Sequence, residues 1–307
     1  MKKFFFPLFL LVFLAVGCTQ KISAGNEVSI NNFFSDMNEI ESERSVYIYM
    51  DIENFGDSPA VNTEAFLMGG WLESPDKKYL SILSPVNRET NSPGGFSSFE
   101  WKLKAPQIPQ GTTKDYDFTG RVEYDYSTSA AAEISVMNED EYERKRMLGE
   151  LGGSVETTNT NAPIKISVDG DYPLKVSNII EKASNRIILE KTFYRIYFRN
   201  AGSGLPVTSG INGKIEGKIK IKEPTAMLSC LGQNLEPKTG AEISLKNFVL
   251  REGSDEMISC SVDIDREKWK NRPQGIVTLL FELRYRYYTD SQTAITIKGE
   301  KNEPIKA

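Results

Sequence analysis

The sequence predicts an all-β protein that contains two β-sandwiches in tandem. Short segments alternate apolar and polar residues with a period of two, which is typical of strands that bury one face. Gly, Pro, Asn and Asp residues separate these segments, and only one short charged stretch has the composition of a helix. The order of several features in the first half recurs in the second half, which indicates a duplicated domain.

The predicted organisation follows from these patterns. It comprises a signal peptide at 1–17, a tether at 18–26, a first sandwich at 27–137, a helix at 138–149, a linker at 150–162, a second sandwich at 163–300 and a C-terminal tail at 301–307. A chain of 307 residues has room for two domains of ordinary size.

The first residues have the three parts of a secretory signal. Lys2 and Lys3 are basic, the stretch from Phe4 to Val16 is apolar, and small residues lead to Cys18. At about 1.5 Å per residue this stretch covers only about 20 Å, whereas a spanning helix must cross about 30 Å of hydrocarbon. We therefore expect an exported protein.

The segment Ala15-Val16-Gly17-Cys18 resembles the bacterial lipobox, which most often has Leu where this chain has Ala15. The resemblance implies that Cys18 receives diacylglycerol and attaches the protein to the outer side of the cell membrane. Acyl chains give durable attachment because each buried CH₂ contributes about 0.8 kcal/mol. Two alternatives remain: an ordinary signal peptide cleaved nearby, and an N-terminal segment retained as an anchor.

The first half contains one long predicted strand and several shorter ones. Val46, Ile48, Met50 and Ile52 share one face, and the segment 54–59 supplies a turn. Further predicted strands are 65–68, 99–103, 122–126 and 134–136. A helix is predicted from Asn138, which can cap it, to Leu148, with Gly149 closing it. A solvated helix that closes the domain is favoured over a recognition helix.

After the polar linker the strand pattern restarts. The predicted strands of the second half are 164–168, 174–176, 187–198, 215–221, 241–250, 257–264, 276–288 and 295–297. The segment Val122-Glu-Tyr-Asp-Tyr126 aligns with Leu283-Arg-Tyr-Arg-Tyr287, and the strand at 134–136 follows at the same spacing as the strand at 295–297. A duplicated sandwich explains this order.

The strand ends carry a second repeated motif, Ile52-Glu-Asn-Phe-Gly56 and Phe198-Arg-Asn-Ala-Gly202. In this motif the chain resembles CARDB-type and related immunoglobulin-like modules of archaeal and bacterial surface proteins. It also resembles archaeal surface lipoproteins in placing such domains after a lipobox. The resemblance implies immunoglobulin-like sandwiches with an adhesion or scaffolding role, and it carries over no catalytic residue.

Composition excludes several classes of function. The chain has no histidine, which removes Ser-His-Asp and Cys-His catalytic sites and His-ligated metals. A net charge of −5 without a basic patch argues against nucleic acid as a partner. We expect no enzyme activity, no cofactor and no metal site, and a carboxylate-based hydrolase is the weakest of three hypotheses.

Cys230 and Cys260 are the cysteines that remain beyond Cys18, and each lies in or beside an apolar β-like segment. In an exported chain two such thiols predict one disulfide between two strands. The alternative is a pair of buried free thiols.

The aromatic residues raise a carbohydrate-binding alternative, because such modules stack sugars on exposed rings. The tyrosines of the repeated strand share a face with Val122 and Leu283, so we expect them in the core. Trp71 and Trp269 have Gly-rich or polar neighbours and are the candidate ligand contacts. The favoured function is a non-enzymatic, lipid-anchored adhesion, scaffolding or interaction module whose partner is an unknown surface protein or glycan.

Overall fold

The computed structural model describes residues 27–177, 189–208, 210–232, 235–250, 255–269 and 271–299, and most of them lie in β-strands. The predicted all-β class is confirmed. The predicted signal peptide at 1–17, the tether at 18–26 and the tail at 301–307 lie outside the described residues. Within those residues, none of the helices combines the length and the apolar character that a membrane span requires.

The first half folds into two layers. Its strands are β1 Val28–Ser35, β2 Glu39–Glu41, β3 Ser45–Asn54, β4 Ala60–Gly69, β5 Asp76–Leu83, β6 Phe96–Lys104 and β7 Thr113–Asn138. Strands β1, β3 and β6 form one antiparallel sheet, and β5, β4 and the start of β7 form the other. The layers touch where Gly120 of β7 lies against Phe33 and Met50. Val46, Ile48, Met50 and Ile52 are fully buried, as their alternation predicts.

The second half repeats the two layers. Its elements are α1 Glu139–Leu148, β8 Glu156–Asn159, β9 Ile164–Gly170, β10 Leu174–Val176, β11 Leu189–Asn200, β12 Leu205–Thr208, β13 Ile211–Asn212, β14 Lys214–Ile221, β15 Ala226–Gly232, β16 Leu235–Gly240, β17 Glu242–Val249, β18 Glu256–Asp265, α2 Arg266–Trp269 and β19 Gln274–Lys298. One sheet has the order β16-β15-β18-β11-β9, and the facing layer contains β17, β14 and the start of β19. Phe198 and Phe248 meet between the layers, with ring centroids 4.7 Å apart.

Two predicted strand pairs turn out to be two long strands. The segments 122–126 and 134–136 both belong to β7, and 276–288 and 295–297 both belong to β19. The intervening residues keep the alternation with small inward side chains, such as Thr128, Ala130 and Ala132, which gave only a weak strand signal. The Thr128 hydroxyl lies within hydrogen-bond distance of the buried Tyr285 hydroxyl.

The long strands join the two halves into one sheet. β7 and β19 pair antiparallel along their whole length, from Met137 opposite Gln274 to Thr113 opposite Lys298. The end of β7 then pairs with β10 of the second half, and the end of β19 pairs with β2 of the first half. Each half therefore completes its sheet with the end of the other half's long strand.

The helix between the halves has the predicted ends. Asn138 Oδ1 accepts a hydrogen bond from Glu141 N at 2.9 Å, and Gly149 adopts a left-handed φ of 69°. None of the residues of α1 is buried. The segment expected as a linker contains β8, which pairs with β7 where Thr157 lies opposite Ala132.

Candidate functional site

The repeated tyrosines meet midway along the pairing of β7 with β19, a place that we call the midpoint. Tyr124 lies opposite Tyr287, and Tyr126 lies opposite Tyr285. The pair between them is Asp125 and Arg286, which are equivalent positions of the repeat. A pseudo-two-fold axis therefore passes through this pair.

The four tyrosines form the buried face of the midpoint. They are at most 4% exposed, so their predicted place in the core is confirmed. Tyr124 accepts a hydrogen bond from Val28 N at 3.1 Å, and Tyr285 lies 2.8 Å from Thr128 Oγ1. Burial raises the pKa of all four hydroxyls, and the charge of Glu27 adds to the rise for Tyr287.

The Asn-x-Gly motif explains how each sandwich closes against this cluster. Asn54 Oδ1 accepts hydrogen bonds from Gly56 N and from the Tyr126 hydroxyl, at 3.0 and 3.2 Å. Asn200 Oδ1 accepts the equivalent bonds from Gly202 N and Tyr287. The equivalent asparagines thus end β3 and β11, and each accepts a hydrogen bond from a buried tyrosine.

The outer face of the midpoint carries a network of charged side chains. Arg286 Nη2 donates to Glu64 Oε2 at 2.7 Å, Nε donates to Glu123 Oε2 at 3.2 Å, and Nη1 donates to Asp125 Oδ1 at 3.2 Å. Arg121 binds both oxygens of Asp290, at 2.7 and 2.8 Å. The guanidinium groups thus connect β4, β7 and β19 across the boundary between the halves.

A cleft of about 480 Å³ opens on this outer side. Val61, Glu216 and Arg284 line it together with Asp125 and Arg286. The lining has two acidic and two basic side chains, and Asp125 and Arg286 form an ion pair with each other. The cleft therefore has the size of a small-molecule site but lacks a set of groups aimed at one ligand. Within the described residues, no cluster of three or more His, Cys, Asp or Glu side chains is arranged to hold a metal ion.

The N-terminal end of the described chain enters the junction between the halves. Glu27 is 4% exposed, and its Oε1 accepts hydrogen bonds from Ser203 N and Ser203 Oγ at 2.8 and 2.7 Å. On the other side of the axis, Asp57 Oδ2 accepts a hydrogen bond from Asn161 N at 2.7 Å. Glu27, which directly follows the predicted tether at 18–26 in the sequence, thus forms a buried contact between the two sandwiches.

The structure packs the two tryptophans expected as ligand contacts against the protein itself. Trp269 is 2% exposed and donates from Nε1 to Thr225 Oγ1 at 3.0 Å, so the exposure expected from its polar neighbours is wrong. Trp71 is half-buried and packs edge-on against Tyr116 and Phe118. Gly70 explains this position, since its φ of +59° turns the chain after β4.

The predicted disulfide is confirmed, and the lipidation site Cys18 lies outside the described residues. Cys230 of β15 and Cys260 of β18 lie directly opposite each other and are joined. Both are at most 1% exposed. The bond therefore cross-links two neighbouring strands inside the core of the second half.

A set of partly exposed rings lies on the outer face of β1, β3 and β6, and the sequence patterns did not single it out. We call it the aromatic face, formed by Phe34, Tyr47 and Tyr49. The ring centroids of Phe34 and Tyr49 are 5.4 Å apart, and those of Tyr47 and Tyr49 are 6.4 Å apart. The alternation of β3 contains a signal for it, because both tyrosines occupy the positions between the buried ones.

Comparisons with known proteins give no family assignment. No protein-family model matches the chain, and no curated protein does. Sporulation control protein Spo0M from Bacillus subtilis is similar at 8% identity over 64% of this chain and 77% of that chain, with a TM-score of 0.18. A protein of unknown function from Porphyromonas gingivalis W83 is similar at 12% identity over 90% and 99%, with a TM-score of 0.16. The collagen adhesin of S. aureus is similar at 9% identity over 90% and 93%, with a TM-score of 0.10.

Proposed function

We propose that this chain is a non-enzymatic, lipid-anchored interaction module on the outer side of the cell membrane. The observation that carries the proposal is the signal-like N-terminus that ends in Ala15-Val16-Gly17-Cys18. Lipid on Cys18 would hold the protein at the membrane, and the two sandwiches would present a binding surface.

Two structural observations support this role. The disulfide between Cys230 and Cys260 suits an oxidising compartment outside the cytoplasm. The continuous pairing of β7 and β19 fixes the two sandwiches relative to each other, as a rigid spacer requires. The repeated Asn-x-Gly motif supports the finer proposal that both sandwiches are immunoglobulin-like modules of the CARDB type.

Lipidation is tested by mass spectrometry of the N-terminal peptide from protein purified out of membranes. We expect a peptide that begins at Cys18 and carries the added mass of diacylglycerol, and we expect the protein in the membrane fraction. Cys18→Ala is the matched control, and it should lose both the added mass and the membrane association. An unmodified Cys18 in a soluble, secreted product would contradict the proposal.

A further inference from the structure

The aromatic face combines rings with a mixed array of polar groups. Phe34 is 47% exposed and lies opposite Tyr49 in the pairing of β1 with β3. Lys102 lies opposite Tyr47 in the pairing of β3 with β6, and its Nζ is 5.5 Å from the centre of the Tyr47 ring. The rings therefore form one row across two strands, with a cation at one end.

Polar side chains continue the same face beside the rings. Asp51 accepts hydrogen bonds from Asn32 Nδ2, at 3.0 Å, and from Ser98 Oγ. Asn31 Nδ2 donates to Glu53 Oε2 at 2.9 Å. Donors and acceptors thus alternate next to an apolar row, and their bonds hold the polar side chains in place.

This pattern matches the surface of a sugar. A pyranose ring has apolar C–H faces that pack on aromatic rings, and its hydroxyl groups both donate and accept hydrogen bonds. A polyanion is disfavoured because the three acids Asp51, Glu53 and Glu100 outnumber Lys102 and Lys104 on this face.

We propose that the aromatic face binds a neutral glycan, with Phe34, Tyr47 and Tyr49 packing on sugar rings and Asp51 accepting from hydroxyl groups. The inference deepens the proposed interaction role. It rests on that role because the anchored protein would meet the glycan outside the cell. It moves the sugar contact away from Trp269, which is buried, and from Trp71, which is half-buried against Tyr116 and Phe118.

The test is calorimetric titration of the full-length, detergent-solubilised protein with neutral β-1,4-linked hexasaccharides of glucose, mannose and xylose. We expect at least one of them to bind, and we expect added NaCl to leave the affinity unchanged because the ligand has no charge. Tyr49→Ala and Phe34→Ala should each weaken binding about tenfold. Asp51→Asn keeps the size of the side chain and should weaken binding as well.

The matched control is Tyr79→Ala, because Tyr79 is 63% exposed on β5 but lies outside the aromatic face. It should bind like the wild type. Thermal melting checks that each variant is folded. If Tyr49→Ala does not fold, Phe34→Ala replaces it in the comparison. Several outcomes would overturn the inference: no hexasaccharide binds, the variants bind like the control, or salt abolishes binding.

Two further measurements distinguish glycan binding from self-association and from the lipid anchor. If light scattering shows a dimer that Tyr49→Ala dissociates, the face is an interface between copies and the inference is wrong. Mass spectrometry of Cys18 is independent of the titration. Lipidated protein that binds no hexasaccharide would overturn this inference alone, and unmodified protein that binds one would overturn only the lipid anchor.

Discussion

Asn54 and Asn200 occupy equivalent positions in the two halves and make equivalent hydrogen bonds. An amide side chain is needed because the oxygen must accept while the nitrogen donates. Asn54 Nδ2 donates to Ser58 O at 2.9 Å, and Asn200 Nδ2 donates to Gly204 O at 2.6 Å. The repeated Asn-x-Gly motif therefore has a direct structural role.

Asn54→Ala should lower the free energy of unfolding by about 3 kcal/mol, because the Tyr126 hydroxyl and two carbonyl groups lose their buried partner. Urea denaturation at neutral pH measures the change. Asn31→Ala removes an exposed hydrogen bond and should change stability by less than about 0.5 kcal/mol. Equal effects of the two substitutions would contradict the role assigned to Asn54.

The buried tyrosines predict a loss of stability at alkaline pH. Their pKa values are raised by burial in the folded protein, so their contribution is complete below the unfolded pKa of about 10 and is lost above it. Each tyrosine should lower the unfolding free energy by about 1.4 kcal/mol per pH unit there.

Urea denaturation between pH 8 and about pH 11 measures this loss, with ultraviolet absorbance reporting ionisation. Tyr285→Phe removes one ionisable group, and its stability should fall less steeply than that of the wild type. Ionisation of all tyrosines without unfolding would show that the cluster is accessible to solvent.

At the scale of elements, the sequence predicted those parts whose causes are local or covalent. The ends of α1 follow from Asn138 and Gly149, and the disulfide follows from the two apolar segments around Cys230 and Cys260. The joining of short predicted strands into β7 and β19 was missed, because Thr128 and Ala130 carry little hydrophobic signal.

Replacing both Cys230 and Cys260 by Ala should lower the unfolding free energy by about 3 to 4 kcal/mol, because the bond closes a loop of 30 residues in the unfolded chain. Urea denaturation of the wild type with and without reductant is an independent measurement. The reduced wild type and the double variant should have similar midpoints. A midpoint unaffected by reductant would mean that the bond does not stabilise the fold.

The whole molecule is held together by the exchange of strand ends. Ile134 and Val136 near the end of β7 are fully buried, and Val136 lies opposite Leu174 of β10 in the second half. Ile295 and Ile297 near the end of β19 are fully buried, and Ile297 lies opposite Ile40 of β2 in the first half. Separation of the halves would expose both sets to water and leave both sheets incomplete.

We therefore expect neither 27–152 nor 153–299 to fold alone. Expressed singly, each fragment should lack a cooperative thermal transition and should be degraded rapidly in limited proteolysis. Expressed together, the two fragments should copurify and recover protection. A single fragment with a cooperative transition would show that the sandwiches are independent units.

Period-two alternation was sufficient to predict an all-β chain, and the capping residues, cysteines and repeated tyrosines were sufficient to predict one helix, one bond and part of the core. These features depend on neighbours in the chain or on side-chain chemistry. The pairing of β7 with β19, the burial of Trp269 and the row formed by Phe34, Tyr47 and Tyr49 depend on contacts between distant segments. Only the tertiary structure decided them, because a local pattern determines which face of a strand is buried but not which strand lies beside it.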